Sequence, residues 1–226
     1  MSLFALNPAA TLSVECTPAG TQVLVVDDFY ADPQAVRAAA LAGRYDASTA
    51  YYPGMHSGID REETAALFAT LTRMFSLLGN VRAVTDSIWS DFSIVTTPAA
   101  QMLAKQKHPH VDPVPLAGLV YLNDEYEVGT GFFRHRPTGL ATMVSLEDAK
   151  RYQAWLDEFG EASQPETYAV GDDGPWERVY SLRGKFNRLV MYAGNAFHAI
   201  DMRDVAAAPT MRQARLTQRI FVGEVE

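Results

Sequence analysis

The apolar positions in the first third of the chain repeat with helical spacing. The segment DREETAALFATLTRMFSLLGN carries four of them on one side of a helix: Leu67, Leu71, Met74 and Leu78. Asp60 and Glu63 form a capping-box pattern at its start, and Gly79-Asn80 follows its last apolar residue. We therefore predict a helix between these two signals, with one buried side.

A shorter helix is predicted ahead of it. In the segment TQVLVVDDFYADP, the apolar run Val23–Val26 indicates a buried strand, and Asp32 with Pro33 fits an N-cap followed by a first helical residue. This helix should end near Gly43. Because both helices precede the main run of strands, we expect them to pack on the outside of a later sheet.

Strand-like segments dominate from Ser87 onward. Six of them are bounded by Gly, Pro, Asn or Asp: SIWSDFSIVTT, LAGLVYLND, GTGFFRHR, WERVYSLRG, FNRLVMYAG and RLTQRIFVGEV. The segment LEDAKRYQAWLDEFG interrupts them and reads as a helix that ends at Gly160. Its expected apolar stripe consists of Leu146, Tyr152, Trp155 and Phe159. The stretch 161–175 is expected to be a loop.

No repeat and no linker divides the sequence. We therefore expect one domain over residues 1–226, with a helical lead-in over 1–85 and a β-sandwich or barrel over 86–226. The 226 residues, 48% of them hydrophobic, are enough for one large globular domain.

Composition and charge narrow the class of protein. No apolar run approaches the roughly 18–20 residues of a membrane helix, and the N-terminus lacks the pattern of a signal peptide, so the expected compartment is the cytoplasm. With 27 acidic and 19 basic residues the net charge is −8, the wrong sign for binding nucleic acid or an anionic membrane. One cysteine, Cys16, excludes a thiolate metal cage and leaves His, Asp and Glu as ligands.

One short stretch concentrates such ligands. In HPHVDP, His110 and Asp112 are separated by one residue, so in an extended segment both side chains point to the same side. His198 follows a later strand and a turn at Gly194-Asn195, at the start of the next strand. Two imidazoles and one carboxylate on one side of an ion are the ligand set of non-haem Fe(II) oxygenases. Taken alone, the pair of His110 and Asp112 also fits a surface turn.

These motifs resemble, in their order, a known superfamily. The succession HVD, GLVYLND, GTGFF, NRLVMYAGNAFHAI and RLTQRIFV, with the opening VVDDFYADPQAVRAAAL, is similar to the prolyl-hydroxylase-like branch of the 2-oxoglutarate- and Fe(II)-dependent dioxygenases. The resemblance spans nearly the whole chain. It implies a mainly β fold with flanking helices, whose core is a double-stranded β-helix of the jelly-roll or cupin-like type.

The resemblance also implies a set of site residues and cofactors. His110, Asp112 and His198 would bind Fe(II), with 2-oxoglutarate and O2 as cosubstrates. A basic residue on the last strand would hold the distal carboxylate of 2-oxoglutarate. Arg215 is the first choice, but Arg219 lies on the same side of the strand, so alternation does not separate them. Tyr121 matches a tyrosine that binds the same carboxylate in relatives.

Other polar residues are weaker candidates for substrate contacts. His108 is an alternative metal ligand, because it has the same two-residue spacing from His110. Arg134 and His135 belong to a polar cluster that fits a solvated hairpin as well as a substrate contact. His56 lies in YYPGMHSGID, which is expected to be a lid or a surface loop.

The three tryptophans, Trp89, Trp155 and Trp176, are expected to pack in the core rather than to form substrate platforms. The sequence thus favours an oxygenase that hydroxylates a small-molecule or peptide substrate. Two alternatives remain: a cupin-like metal enzyme that does not use 2-oxoglutarate, and a non-catalytic binding module.

Overall fold

The structure, a computed structural model, describes residues 2–47, 53–78, 82–123, 128–160, 168, 174–201 and 214–226. These residues form two antiparallel sheets with flanking helices, which confirms the expected mainly β architecture. The α-helices are α1 (Pro33–Ala42), α2 (Arg61–Phe75) and α3 (Leu146–Phe159). Among the described residues, no helix is long and apolar enough to cross a membrane.

The strands fall into two sheets of unequal size. They are β1 (Thr11–Cys16), β2 (Gln22–Asp27), β3 (Asp46–Ala47), β4 (Met55–Gly58), β5 (Ile88–Val95), β6 (Leu116–Tyr121), β7 (Gly129–His135), β8 (Trp176–Leu182), β9 (Leu189–Ala193), β10 (His198–Asp201) and β11 (Arg215–Val222). The larger sheet has the order β1-β2-β9-β6-β11-β5-β4-β3, and the smaller one β10-β7-β8. All neighbouring strands run antiparallel.

One face of the larger sheet is covered by α1 and α2, and we call it the helix face. Val36 and Ala40 of α1 and Leu67, Phe68 and Leu71 of α2 belong to one buried cluster with apolar residues of the sheet. The sheet residues include Leu24, Phe92, Leu116, Met191, Leu216, Ile220 and Val222. The prediction that the two early helices pack outside the sheet is therefore confirmed.

The opposite face of the larger sheet turns toward the smaller sheet, and we call it the cavity face. Tyr121, Val190 and Tyr192 on this face join a second buried cluster with Phe132 of β7 and Leu182 of β8. Because successive side chains of a strand point to opposite faces, β2, β6, β9 and β11 contribute residues to both clusters. The candidate site lies on the cavity face.

The N-terminal third contains more strand than the sequence indicated. Beside the predicted β2, β1 adds an edge strand, and Met55–Gly58 of the expected lid or loop pairs with β5 as β4. The pattern failed there because the strand is short and carries glycine and serine. Tyr51 and Tyr52, of the same expected lid, lie outside the described residues, as do most of the predicted loop 161–175 and residues 202–213.

The helix boundaries and faces were predicted in part. Helix α1 begins and ends as expected, with Asp32 accepting a hydrogen bond from the Ala35 amide at 3.0 Å. Helix α2 begins after Asp60 but ends at Phe75, before Gly79-Asn80. In α3, Tyr152 and Trp155 contact His135, whereas Leu146 and Phe159 of the predicted apolar stripe are exposed.

One of the three tryptophans lies in the core as expected. Trp176 is buried in a cluster on the outer side of the smaller sheet, whereas Trp155 is half-buried and packs on His135. Trp89 is 44% exposed, so the expectation that it lies in the core was wrong. It points to the cavity face, since its partner in β11 is Phe221.

Candidate metal centre

Backbone hydrogen bonds join the segment around His110 to the start of β10. His110 and His198 form an isolated antiparallel bridge, in which each amide donates to the other's carbonyl at 2.9 Å. The Asp112 amide donates to the Gly194 carbonyl at 2.8 Å, within the predicted turn before β10. Residues that are 88 positions apart in number are thus held side by side by main-chain contacts.

The three side chains converge on one point. One ligand atom from each of His110, Asp112 and His198 lies within 4.8 Å of the other two. The Asp112 carboxylate is 3.3 Å from His198 Nε2 and 3.9 Å from His110 Nε2, and the imidazole centroids are 4.5 Å apart. Among the described residues, this is the one group of three such ligands close enough to share an ion. A single ion between them would have the two imidazoles and the carboxylate on one side.

The electrostatics of the group favour a cation. Burial, with a smaller effect of the neighbouring His198, lowers the pKa of His110 to about 3, so its imidazole is neutral at neutral pH. Burial alone would raise the pKa of Asp112, but its contacts with His198 and His110 bring it below the ordinary value. A neutral imidazole and an ionised carboxylate are the protonation states in which these side chains bind metals.

A carbonyl orients one of the imidazoles. His198 Nδ1 lies 2.9 Å from the carbonyl oxygen of Ala196. Since a carbonyl only accepts hydrogen bonds, Nδ1 carries a proton in this contact, which leaves Nε2, the nitrogen beside Asp112, as the atom that could bind a metal. This outer contact fixes both the tautomer and the ring orientation that a metal ligand requires.

The group opens into a cavity of about 270 Å³ between the two sheets. Its walls are mainly apolar, with a few polar groups. The lining residues besides the three ligands include Ala117, Leu119, Thr130, Tyr192, Ile200, Arg215, Arg219 and Phe221. A mainly apolar pocket with few convergent polar groups is typical of a small-molecule site.

Arg215 is the most unusual residue of this wall. It is 2% exposed, and its Nε, Nη1 and Nη2 atoms have no hydrogen-bond partner among the described residues. The buried hydroxyl of Thr217, two residues further along β11, also has none. The Arg215 guanidinium lies over the Tyr121 ring, 5.6 Å from its centroid, and the Tyr121 hydroxyl is 2.8 Å from that of Thr130. A buried charge without a partner is costly.

Arg219 has a different environment on the same face of β11. Its Nε donates to Asp91 Oδ1 at 2.7 Å, and its Nη2 contacts Asp91 Oδ2. Asp91 is the residue directly opposite on β5. The two arginines that strand alternation left equivalent are therefore distinct, since Arg219 pairs with a carboxylate and Arg215 has no such partner in the described part of the chain.

The sequence as a whole was also compared with known proteins. Residues 8–222 match the sequence profile of a family of unknown function (DUF6445). The chain belongs to this family. A comparison with curated proteins finds no match. In this DUF6445 protein, the matched range includes the three ligands, the cavity wall and both arginines.

The weaker candidates lie outside the cavity of the DUF6445 chain. His108 is buried, and its Nδ1 accepts a hydrogen bond from Trp176 Nε1 at 3.2 Å, away from the three-ligand group. His135 is fully buried under α3, and Arg134 pairs with Glu177 at 3.2 Å. His56 lies on β4, where its Nδ1 is 3.3 Å from Ser93 Oγ. None of the four lines the cavity, so the structure gives no support to them as substrate contacts.

Sequence reasoning missed four residues of the site. Thr130 and Phe221 line the cavity, Thr217 has a buried hydroxyl between the two arginines of β11, and Asp91 pairs with Arg219. Thr217 could have been predicted from the sequence, because it lies between the two arginines on the same side of β11. Asp91 could not, because the pairing of β5 with β11 joins segments far apart in sequence.

Proposed function

We propose that this protein is a 2-oxoglutarate- and Fe(II)-dependent oxygenase that hydroxylates a small-molecule or peptide substrate. The observation that carries the proposal is the buried guanidinium of Arg215, which finds no hydrogen-bond partner within the described ranges and lies in the wall of the same cavity as His110, Asp112 and His198. The triad alone fits several metal enzymes. The arginine adds a requirement for an anionic ligand.

The strand order supports a double-stranded β-helix as the core. Strands β5, β6, β9 and β11 lie together in the larger sheet, and β7, β8 and β10 form the smaller one. The His110 segment bridges to β10 at the edge of the smaller sheet, which gives that sheet a fourth partner. Four and four antiparallel neighbours, between which the chain repeatedly crosses, are the arrangement of a jelly roll.

The residues at the metal position fit Fe(II). Two imidazoles and one carboxylate on one side of the ion leave its remaining positions for other ligands, which is the ligand set of the non-haem Fe(II) oxygenases. The tautomer of His198 and the neutral state of His110 are fixed by contacts within the chain.

The residues deeper in the wall fit a dicarboxylate. A guanidinium presents several donors in a planar fork and pairs with a carboxylate through two parallel hydrogen bonds. Thr217 Oγ1 supplies another donor next to Arg215, and the linked hydroxyls of Tyr121 and Thr130 lie close by. We assign Arg215 to the distal carboxylate of 2-oxoglutarate and leave Arg219 to Asp91.

Residues of the chain itself then bind the metal ion, orient the cosubstrate and keep water out of the space between them. The triad holds the ion, Arg215 orients the cosubstrate, and apolar residues such as Ala117, Leu119 and Ile200 exclude water from the space between. When bound, Fe(II), 2-oxoglutarate and O2 supply an oxidation in which one oxygen atom enters the substrate C–H bond and the other enters succinate, as CO2 leaves.

Isothermal titration of 2-oxoglutarate into the Mn(II)-loaded protein tests this proposal. We expect saturable binding of 2-oxoglutarate in the wild type. In Arg215→Ala the free energy of 2-oxoglutarate binding should weaken by about 2–5 kcal/mol, because one partner of a buried charge pair is removed. The affinity for the metal should be retained. Arg37→Ala is the matched control. It removes another buried guanidinium, whose Nε donates to the Leu122 carbonyl outside the cavity.

Arg219→Ala separates the two candidate clamps. If it carries the loss while Arg215→Ala is silent, the assignment within β11 is wrong but the oxygenase proposal stands. If the metal-loaded wild type does not bind 2-oxoglutarate, the oxygenase proposal fails. A cupin-like metal enzyme without this cosubstrate, or a non-catalytic binding module, then takes its place.

A further inference from the structure

Trp89 forms an open aromatic surface beside the cavity. It is 44% exposed and lies near the start of β5, where β11 is its paired neighbour and β4, which pairs with residues 91–94, does not reach. Its ring stacks on Phe221 with centroids 5.3 Å apart and planes at 27°. An exposed indole stacked on a second ring is informative, because large aromatic side chains are usually buried.

Two residues of β11 and its end make room for the Trp89 ring. Phe221 stacks on one side of it. A Cβ atom built on Gly223 would lie 3.2 Å from Trp89 Cζ3, so a larger residue at position 223 would crowd the ring. The glycine therefore allows the ring to lie beside Phe221.

A continuous row of side chains connects this surface with the cavity. Phe221 lines the cavity and contacts Trp89, and the guanidinium of Arg219 lies 5.1 Å from the centroid of the Phe221 ring. Arg219 also lines the cavity, and its charge is felt by His110 and Asp112. The row Arg219, Phe221, Trp89 thus leads from the metal ligands to solvent.

The charges along this row are compensated. Asp91 pairs with Arg219 through both carboxylate oxygens, so the row offers aromatic faces and an ion pair rather than a net positive charge. With a net charge of −8 over the whole chain, an anionic group would gain little here. The surface fits an uncharged planar ring.

We propose that Trp89 and Phe221 form a subsite that binds an aromatic ring of the substrate, while another part of the substrate reaches the three metal ligands. This inference rests on the proposed function, which defines the cavity as the reaction site. Stacked rings are favoured beyond the apolar area that they bury. The substrate class is accordingly a compound, free or peptide-linked, that carries an uncharged aromatic ring.

Matched ring probes test the proposal on the protein loaded with Mn(II) and 2-oxoglutarate. The probes are the N-acetyl amides of phenylalanine, tyrosine and tryptophan, with the amide of cyclohexylalanine as the saturated match, and binding is measured by isothermal titration. We expect at least one aromatic amide to bind about fivefold or more tightly than the saturated one. Comparing the affinity of the best amide with that of a glycine–serine pentapeptide that contains the same residue shows whether the protein prefers the ring on a small molecule or on a peptide.

Substitutions then tie the preference to the surface. Trp89→Ala should remove the aromatic preference, and Trp89→Phe should restore most of it. Leu12→Ala is the matched control, because Leu12 is equally exposed, at 44%, on the edge strand β1 of the same sheet. It should leave all affinities unchanged.

Two results would overturn the proposal. One is a wild type that binds no aromatic amide more tightly than the saturated match. The other is a preference that survives Trp89→Ala. Failure of the proposed function is distinguishable, since it appears as absent 2-oxoglutarate binding in the wild type. If aromatic binding depends on Trp89 in a protein that does not bind 2-oxoglutarate, the subsite proposal stands and the oxygenase proposal fails.

Discussion

The two faces of β11 treat their buried polar groups in opposite ways. On the helix face, Gln218 is fully buried, yet its Oε1 accepts from the Tyr30 hydroxyl at 2.6 Å and its Nε2 donates to Ser90 Oγ at 3.0 Å. On the cavity face, Arg215 and Thr217 are equally buried and have no hydrogen-bond partner among the described residues.

We interpret the contrast as a difference between polar groups that stabilise the fold and polar groups that are available to bind a ligand. Buried polar atoms in folded proteins are almost always paired, since an unpaired one loses its hydration without compensation. Gln218 follows that rule within the chain. Arg215 departs from it next to three metal-capable side chains, which is the expected signature of a site whose partner binds from solution.

The largest expected effect concerns the cavity face. His110→Ala, Asp112→Ala and His198→Ala should each abolish tight Fe(II) binding, because two ligands cannot replace a three-ligand site. The measurement is anaerobic titration with Fe(II), or with Mn(II) followed by electron paramagnetic resonance. Circular dichroism checks that the variants fold.

His56→Ala is the control for this titration. His56 lies on the cavity side of β4, but its Nδ1 is beside Ser93 and 3.9 Å from Asp91, not among the three ligands. We expect wild-type metal affinity. Should any of the three ligand variants also keep wild-type affinity, that residue has to be removed from the site.

A second prediction compares the stability of the two faces directly. Gln218→Ala should lower the free energy of unfolding by about 2–4 kcal/mol, since it removes the acceptor of the buried Tyr30 hydroxyl and one of the two hydrogen bonds of Ser90 Oγ. Arg215→Met should leave the stability of the ligand-free protein unchanged or raise it, because it replaces an uncompensated buried charge by an apolar side chain of similar length.

Urea unfolding of both variants, without metal or 2-oxoglutarate, measures this difference. A large loss of stability in Arg215→Met would mean that the guanidinium is satisfied inside the chain. The contrast between the two faces would then disappear, together with the main support for the cosubstrate. A small loss in Gln218→Ala would show that its two contacts contribute little.

The sequence predicted the parts of the site that depend on local periodicity. His110 and Asp112 share a side because one residue separates them, and His198 was placed at the start of a strand, where β10 begins. The choice between Arg215 and Arg219 was out of reach. It depends on Asp91, which lies 128 positions before Arg219 and meets it only when β5 pairs with β11.

The fold was predictable to a similar extent. Long segments with a clear period gave α1, α2, α3 and most strands of the C-terminal part, whereas β1, β3 and β4 are short or edge strands with a weak pattern. The exposure of Trp89 was wrongly predicted, because residue type alone indicates burial. Its environment depends on strand pairing, since β4 pairs with residues 91–94 of β5 and does not reach Trp89.

His135 is an apparent exception to the interpretation that a buried polar atom without a partner marks a ligand site. Its Nε2 is buried without a hydrogen-bond partner among the described residues, yet it lies under α3 and not in the cavity. The Trp155 ring is 4.2 Å away, edge to face, and Thr138 Oγ1 is 2.8 Å from Nδ1. We interpret Nε2–H as directed at an aromatic ring, so His135 is a neutral core residue.

This interpretation predicts a dependence of stability on pH. Burial, with a smaller effect of His108, lowers the pKa of His135 to about 4 in the folded protein, against about 6.5 when unfolded. Between these values the unfolded chain binds more protons, so stability falls as the pH falls from 6.5 toward 4, by about 1.4 kcal/mol per pH unit for this residue. Above pH 6.5 its contribution is constant.

The measurement is urea unfolding at pH 7 and pH 5, for the wild type and His135→Phe. The variant should lose less stability between the two pH values, because it has no group to protonate at that position. Arg134→Gln, which removes the neighbouring ion pair with Glu177, should retain the wild-type slope. An unchanged slope in His135→Phe would show that His135 has the same pKa in the folded and unfolded states, and that burial does not keep its imidazole neutral.

The smallest expected effect concerns the compensated arginine of the cavity face. Asp91→Asn removes the carboxylate that neutralises Arg219, and the guanidinium then acts as a bare positive charge on Asp112 and His110, both of which feel it already. The free energy of Fe(II) binding should weaken by about 1 kcal/mol, within the range for neighbouring charged groups. Arg219→Met in the Asp91→Asn background should restore it, because the repelling charge is gone.

A cycle of the two single variants and the double variant, measured by metal titration, gives the coupling energy between Asp91 and Arg219. If the double variant binds Fe(II) no better than Asp91→Asn, the loss comes from a change in the shape of the wall, and Arg219 has no electrostatic effect on the metal ligands.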